Sequence, residues 1–349
     1  MKKKQDLKAL TRKELIEWFE KRGYKKFRAN QVFNWVYKNG VDSFDEMSNL
    51  PQDLRDKLKE EAYLSRLFLQ DAVEASDGTI KYLWSLADNE TIESVYLPFE
   101  DGRHSVCISS QAGCAMNCKF CATGIGGLIR NLTPAEIVDQ VLEIQKDISQ
   151  GEFGSPRISN VVFMGMGEPL ANYESVLRAI SILNDHQGLD IGMRRITLST
   201  SGLVPQIKRL ADEDLQLVLA ISLNAPNNHL RDRLMPINKK YPLEKLLAAV
   251  RYYIKKTNRR VSFEYVLISG VNDSIDLAYQ TVELLEGLLC HVNLIPLNPV
   301  TEFPFKRPSS RVIKNFQGVL EEKGIETTIR QERGTNIEAA CGQLRRLNQ

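Results

Sequence analysis

No stretch of this 349-residue chain approaches the ~20 consecutive apolar residues that a helix needs to cross a bilayer. Met1 to Leu10 carries lysines but no apolar run of signal-peptide length, so a cytoplasmic protein with no membrane partner is expected. Histidine is scarce: His104, His186, His229 and His291 are scattered and give no independent metal site. Six cysteines, three of them clustered, do not make a disulfide framework in a chain of this size, and a reducing compartment suits a metallocluster. A second Cys-x2-Cys pair, which the usual structural zinc site requires, is missing. Charge of one sign is also nearly absent in sum, at +2, but its distribution is uneven. Met1 to Gly40 holds twelve Lys or Arg against four Asp or Glu, whereas Val41 to Gly78 is acidic.

What is present is Cys114-Ala-Met-Asn-Cys118-Lys-Phe-Cys121, three thiols in eight residues without a fourth partner. An iron-sulfur cube is normally held by four thiolates, and an open metal position is a mark of catalysis. Three cysteines suggest one iron left for a substrate. The competing reading is a zinc site completed by a remote Cys or His. The basic N-terminal end adds Trp18, Phe19, Tyr24, Phe27, Phe33, Trp35 and Tyr37, a mixture suited to phosphate neutralisation beside aromatic surfaces. Aromatics at helical spacing also suit an ordinary core.

Thr11-Arg12-Lys13-Glu14 fits a capping box for a helix ending by Gly23, Arg28 to Lys38 reads as a second helix, and Pro51 opens another. Residues 1–76 are thus expected to form a small helical module. The pattern then changes to period two over Thr79–Leu86, Thr91–Phe99 and His104–Ser110, with Asp88-Asn89 as a turn. Residues 77–103 read as an antiparallel β-hairpin extension or linker. From there strand and helix alternate. Strands are expected at Asn160–Met164, Arg195–Ser199, Leu217–Leu223, Val261–Ile268 and Val292–Ile295. Helices are expected at Pro134–Gln150, Tyr173–Asp185, Pro205–Ala211, Leu243–Thr257, Ser274–Leu288 and Ser309–Lys323. Six strand-helix units over residues 104–349 imply an α/β fold with a mostly parallel sheet, and periodicity does not say whether it curls into a barrel.

The unusual polar residues fall just after the C-terminal ends of these strands, the edge at which parallel sheets place ligand sites. The cysteine loop follows the first strand and Gly165-Met166-Gly167-Glu168-Pro169 the second. Ser199-Thr200-Ser201-Gly202 ends the third, Ser222-Leu223-Asn224 the fourth, and Leu297-Asn298-Pro299 follows the sixth. Singly, the glycines suit a tight turn and the hydroxyls and amides suit caps. Together they converge on one cavity.

With Cys114-x3-Cys118-x2-Cys121 after the first strand and Gly167-Glu168-Pro169 after the second, the chain resembles the radical S-adenosylmethionine superfamily. Ser109-Ser110-Gln111-Ala112-Gly113-Cys114, Phe163 to Pro169, Leu198 to Gly202 and Ala339-Ala340-Cys341-Gly342-Gln343-Leu344 extend the likeness over nearly the whole chain. They resemble the methyltransferase family that modifies carbon 2 of adenosine in 23S ribosomal RNA, at the peptidyl-transferase centre, and adenosine 37 of certain transfer RNAs. The resemblance implies a partial six-unit (β/α) barrel with a helical RNA-binding N-terminal domain. It also implies an electron donor such as flavodoxin or ferredoxin, and a monomer is expected.

By that resemblance Cys114, Cys118 and Cys121 hold a [4Fe-4S] cluster whose fourth iron chelates S-adenosylmethionine. Gly167, Glu168, Ser199, Ser222, Leu223, Asn224 and Asn298 match positions around that ligand, and many members have His where this chain has Asn224. Two S-adenosylmethionine molecules serve each turnover in the family. One methylates the cysteine matching Cys341 by nucleophilic displacement, and the second is cleaved to a radical that activates this methyl for addition to the base. Cys107 matches the cysteine that then attacks Cys341 sulfur to form a transient disulfide and free the product, and Glu93 matches the proposed proton acceptor. Alternation places Cys107 opposite Val106 and Ile108, so it can face a cavity, and a mobile loop could carry Cys341 between two positions. Cys290 matches no such role and reads as a core thiol. Two alternatives stand beside this reading: the sister activity at carbon 8, from which Pro169 leans away, and a noncatalytic zinc-stapled RNA-binding protein.

Overall fold

The computed structural model describes residues 4–149 and 156–345. Thr11 opens the first helix, α1 (Arg12–Glu20), through the reciprocal bonds its sequence implies: Glu14 N–H donates to Thr11 Oγ1 (3.3 Å) and Thr11 N–H donates to Glu14 Oε2 (2.9 Å). Helices α2 (Lys26–Tyr37) and α3 (Gln52–Glu61) follow, with Pro51 just outside the latter. A two-residue parallel pair, β1 (Gln5–Asp6) with β2 (Ala62–Tyr63), ties the ends of the module together.

The basic and aromatic residues of this module divide by depth. Phe19, Phe33 and Tyr37 are core, Trp18, Tyr24 and Trp35 pack against it, and Phe27 alone of the seven is widely exposed, at 49 %. Lys8 is buried and reaches Asp139 on the following domain at 2.8 Å and Asp42 at 3.4 Å, while Arg12 bonds Asp185 at 2.7 Å. These cations therefore join two parts of the molecule. Lys13, Lys21, Lys25 and Lys26 remain exposed.

A ten-stranded sheet forms the rest of the frame. Its antiparallel part is a meander, β3 (Phe68–Glu74), β4 (Ile80–Ser85) and β5 (Thr91–Pro98), and β5 pairs antiparallel with β6 (His104–Cys107). A short hairpin, β7 (Gln111–Gly113) with β8 (Leu128–Asn131), brackets the cysteine loop. The parallel part then runs β9 (Asn160–Phe163), β10 (Ile196–Thr200), β11 (Val218–Ser222), β12 (Val261–Leu267), β13 (Cys290–Pro296) and β14 (Thr327–Ile329). Spatial order is β14-β13-β12-β11-β10-β9-β6-β5-β4-β3, so the sheet ends in two free edges and the barrel is partial. Crossovers are made by α4 (Pro134–Ser149), α5 (Tyr173–Asn184), α6 (Val204–Ala211), α7 (Asn228–Leu234) with α8 (Leu243–Thr257), α9 (Ile275–Leu285) and α10 (Ser310–Glu322).

Alternation along β12 shows how the core and the lumen are divided. Val261, Phe263, Tyr265 and Leu267 are fully buried, Tyr265 lying 5.2 Å from the Phe316 ring of α10, whereas Glu264 and Val266 line a central cavity. Among the described residues no helix is long and apolar enough to cross a membrane.

Three elements depart from the sequence expectation. The helical module is expected to reach residue 76, but Phe68–Glu74 is strand β3, an exposed edge whose seven residues carry no buried stripe to reveal it. All six expected parallel strands are present, and β14, only three residues long, adds a seventh beside β13. Helix α7 has seven residues and buries an arginine, which breaks the apolar periodicity of a normal helix. Gln150 and Gly151, expected to end α4, lie outside the described residues.

Candidate active site

The cysteine loop is held by its own backbone and by a small apolar cluster. Gly113 has φ +77°, and a Cβ there would fall onto the carbonyl oxygen of Gly127, so the β7–β8 hairpin requires glycine at this position. Cys118 and Phe120 pack on Leu230, Leu234, Met235, Ile268 and Leu297, and Lys119 N–H donates to Leu234 O (2.9 Å). Cys114, Cys118 and Cys121 all face one cavity, of roughly 910 Å³ when the open space at its mouth is included. Burial pushes the Cys114 thiol up to about 12 and raises the other two, and the charges of neighbouring thiols act in the same direction on Cys114 and Cys118. Such thiols ionise together only when a cationic group binds among them.

Opposite stands the loop after β9. A Cβ on Gly165 would meet Ile108 at 2.7 Å and one on Gly167, where φ is +104°, would meet Gln111 at 2.6 Å. Only glycine lets this loop lie so close to the strand leading into the cysteines. Gln111 then caps the turn, its Oε1 accepting from Glu168 N–H at 2.8 Å. The Glu168 carboxylate accepts from Ser201 N–H (2.7 Å), Ser201 Oγ (2.8 Å) and Leu170 N–H (3.0 Å), while burial raises its pKa against those bonds. Ser199, Ser222, Asn224, Glu264 and Asn298 complete the wall.

Behind this wall lies Arg231 of α7, which is 0 % exposed. Its guanidinium donates to Leu223 O (3.0 Å), Ser201 O (2.8 Å), Ser222 O (2.9 Å) and Asn238 Oδ1 (3.0 Å). Burial lowers its pKa to about 10, still charged at neutral pH. One cation thus fixes the loops after β10 and β11 at once.

A second cavity of roughly 730 Å³ adjoins the first. It is lined by Phe99, Cys107, Met164, Arg330, Arg333 and Leu344 among others, and Cys341 and Asn298 belong to both cavities. Cys107 is buried near the end of β6, and burial first, then the neighbouring Cys341, raises its pKa to about 12. The Cys341 loop is seated by named bonds: Asn298 Nδ2 donates to Cys341 O (3.2 Å), Ala122 N–H to Gly342 O (2.8 Å) and Thr123 Oγ1 to Leu344 O (2.6 Å). The loop therefore docks directly on the cysteine loop.

The structure brings the three cluster-type cysteines, Gly167, Glu168, Ser199, Ser222, Asn224, Asn298 and Cys341 to one cavity, and Cys107 to its neighbour. Two expected residues are placed otherwise. The Leu223 side chain, one residue past β11, is core, and its N–H and C=O are taken by Glu264 O and Arg231. Glu93 is 2 % exposed beneath the C-terminal segment, accepting from Arg345 N–H (2.8 Å) and facing Lys81 (3.3 Å), with burial raising its pKa. The Asn224 side chain is engaged internally, accepting from Val266 N–H (2.8 Å) and contacting Met235 sulfur at 3.1 Å. Cys290 is half-buried against the main core. Arg231 and Arg330 escape a reading of the sequence because α7 and β14 are too short to show periodicity.

Two observations bear on what the cavity can hold. Among the described residues no three His, Cys, Asp or Glu side chains are grouped as a single metal ion requires. Three thiols facing one cavity fit an iron-sulfur cluster in which three irons each take one thiolate and a fourth is left open. Asn298 Oδ1 is buried without a hydrogen-bond partner, an acceptor waiting for a donor on a ligand.

Residues 5–64 match the family model for the ribosomal RNA large subunit methyltransferase N-terminal domain, and residues 108–281 match the radical SAM superfamily. A solved radical SAM methyltransferase from Sphaerobacter thermophilus superposes with a TM-score of 0.92 at 48 % identity, over 97 % of this chain and 99 % of that one. Fold and cavity define a radical SAM enzyme, a superfamily that employs S-adenosylmethionine and a [4Fe-4S] cluster. Two curated relatives carry the name probable dual-specificity RNA methyltransferase RlmN. The one from Caldanaerobacter subterraneus subsp. tengcongensis is 50 % identical over 98 % of both chains, and the one from Alkaliphilus oremlandii is 52 % identical over 98 % of this chain and 97 % of its own. The chain belongs to the RlmN family of radical SAM methyltransferases.

Proposed function

We propose that the protein methylates carbon 2 of adenosine in 23S ribosomal RNA, at the peptidyl-transferase centre, and adenosine 37 of some transfer RNAs. The observation that carries this reading is the place of Cys341 on the partition between a cavity walled by three cysteines and a second cavity walled by Cys107. A residue so placed can take a methyl group from one side and deliver it to the other.

On this reading Cys114, Cys118 and Cys121 would hold the cluster, and Asn298 Oδ1 would accept from an amino N–H of S-adenosylmethionine. Glu168, Ser199 and Ser222 shape the rest of that pocket, with Gly167 keeping its floor close. Cys341 sulfur attacks the sulfonium methyl, and S-adenosylhomocysteine leaves with the electron pair of the broken bond. The cluster with a second S-adenosylmethionine supplies the hydrogen-abstracting radical that lets the methyl carbon on Cys341 bond to the base. Once the base adduct has given up one electron, which the cluster would take back, and the carbon 2 proton has left, Cys107 attacks Cys341 sulfur. The S–S bond forms as the S–C bond breaks, its electron pair stays on the exocyclic carbon, and that carbon takes a proton in place of the one Cys107 gave up. Glu93 serves as proton acceptor once the backbone N–H of Arg345 withdraws from it.

The exposed lysines of the 1–76 region bind RNA, residues 77–103 carry Glu93, and residues 104–349 do the chemistry. The protein works as a cytoplasmic monomer supplied with electrons by flavodoxin or ferredoxin. Mass analysis of nucleosides from RNA treated in vitro tests the assignment. The expected product is 2-methyladenosine; 8-methyladenosine alone, or a colourless protein with stoichiometric zinc and no iron, overturns it. Within the same assay Cys107→Ala is expected to trap protein covalently on RNA, and Cys341→Ala to give neither adduct nor product.

A further inference from the structure

Arg330 stands immediately after β14, its backbone N–H donating to Leu294 O at 2.8 Å. Its side chain enters the second cavity, where it lies beside Cys107, Met164 and Cys341, with one guanidinium nitrogen 3.6 Å from the Met164 sulfur. Among the described residues it forms no ion pair with a carboxylate. A half-buried guanidinium ordinarily has an anionic or strongly hydrogen-bonding partner, because desolvating it is costly. The thiolate form of Cys341, then the Glu264 carboxylate and the thiolate form of Cys107, are the anionic groups that favour its charged form. Arg333 and Glu332 line the same cavity, but Arg333 stacks over the Phe99 ring at 4.6 Å and Glu332 pairs with Arg307.

The chemistry asks for such a cation. Cys341 must present sulfur as a nucleophile to a methyl donor, and Cys107 must later do the same toward Cys341 from a dry site. Burial, followed by the neighbouring Cys341, makes Cys107 a poor nucleophile at neutral pH, and among the described residues Arg330 is the guanidinium whose charge acts against that effect. We propose that Arg330 is a positioning residue shared by the two reacting thiols. It holds the Cys341 sulfur at the partition between the cavities and supplies the positive charge against which Cys107 reacts as a thiolate. This inference rests on the proposed roles of Cys107 and Cys341.

The test uses the anaerobically purified full chain and the variants R330M and R330K. Iodoacetamide labelling of Cys107, resolved by peptide mass spectrometry across pH, is read alongside methyl incorporation at Cys341 and the decay of the protein–RNA adduct. In R330M the Cys107 labelling profile is expected to move up by about one pH unit, and adduct decay at pH 7.5 to slow about tenfold, with partial recovery as pH rises. R330K keeps the charge and is expected to stay within about threefold of the wild type, which a purely structural role would not ensure. If R330M does not fold, R330Q serves as the uncharged variant with the same expectation. A labelling profile and adduct decay in the uncharged variant that match the wild type would overturn the proposal. Absence of Cys341 methylation in the wild type would instead overturn the function on which it rests, and the labelling profile reads out independently of that.

Discussion

Replacing Arg231 with methionine gives the sharpest test of how the cavity wall is held. The guanidinium makes four hydrogen bonds, three to backbone carbonyls of the loops after β10 and β11 and one to Asn238. At the lower end for charged donors, about 1.5 kcal/mol each, their loss costs about 6 kcal/mol. Burial acts in the opposite sense, since it lowers the Arg231 pKa from 12.5 to about 10. At 1.36 kcal/mol per pH unit, methionine would relieve about 3 kcal/mol of that cost. The net expectation is a loss of about 3 kcal/mol in urea unfolding at pH 7.5. A group whose folded pKa is depressed to about 10 stays protonated throughout neutral pH, so the loss should not vary between pH 6 and pH 8. S-adenosylmethionine affinity, measured by calorimetry on the folded fraction, should also fall, because Ser201 and Ser222 would no longer be pinned. A loss under about 1 kcal/mol with unchanged affinity would refute the view that this buried cation positions the wall.

Three further outcomes follow from other parts of the molecule. Gly167→Ala should destabilise the protein by about 2 kcal/mol or more and abolish ligand binding, since the new methyl meets Gln111 at 2.6 Å on a backbone with φ +104°; a folded variant with normal binding in thermal melts would contradict this. Asp139, raised to about 7 by burial against the pull of Lys8, binds its proton more tightly folded than unfolded, so its stabilising contribution is full below about pH 4 and is lost as pH rises toward 7. Removing the cation with Lys8→Met should extend that loss above neutrality, so that urea unfolding shows about 3–5 kcal/mol of destabilisation at pH 8 and much less at pH 5; equal losses at both would be inconsistent with the pair. Neutralising the exposed Lys21, Lys25 and Lys26 together should weaken RNA binding and flatten its salt slope, by at most about 0.7–0.9 for each phosphate left without its cation; an unchanged slope would remove this face from the RNA interface.

Much of this architecture is legible in the sequence because its signals are local. Thr11 with Glu14, Thr133 with Glu136, Ser274 and Ser309 mark helix starts by their own hydrogen bonds, which the structure reproduces within a residue or two. The cavity residues are legible because parallel strands deliver them to one edge, so their order along the chain already implies convergence. What stays hidden depends on partners far away in sequence. Glu93 is capped by a backbone N–H 252 residues later, and Lys8 is matched by an aspartate 131 residues away. Arg231 and Arg330 look like surface charges until the short elements that carry them are placed. The side chain of Leu223, one residue past β11, lies in the core, which its polar neighbours Ser222 and Asn224 do not announce.

The antiparallel pairing of β5 with β6 has a bearing on how this chain can vary in length. Cys107 sits opposite Val95 in that ladder, and Glu93 sits opposite Leu83 in the next. A strand's faces alternate with every residue, so losing or gaining one residue between Glu93 and Val95 would exchange the faces of β5 on one side of the change and move Glu93 out of its place relative to Cys107, which β9 holds on β6. The turn at Asp88-Asn89, with Asn89 at φ +67°, lies outside both constraints. Length changes among descendants of this chain should accumulate at that turn and be purged from the strand beside it, which makes the meander a ruler for the distance between acid and thiol.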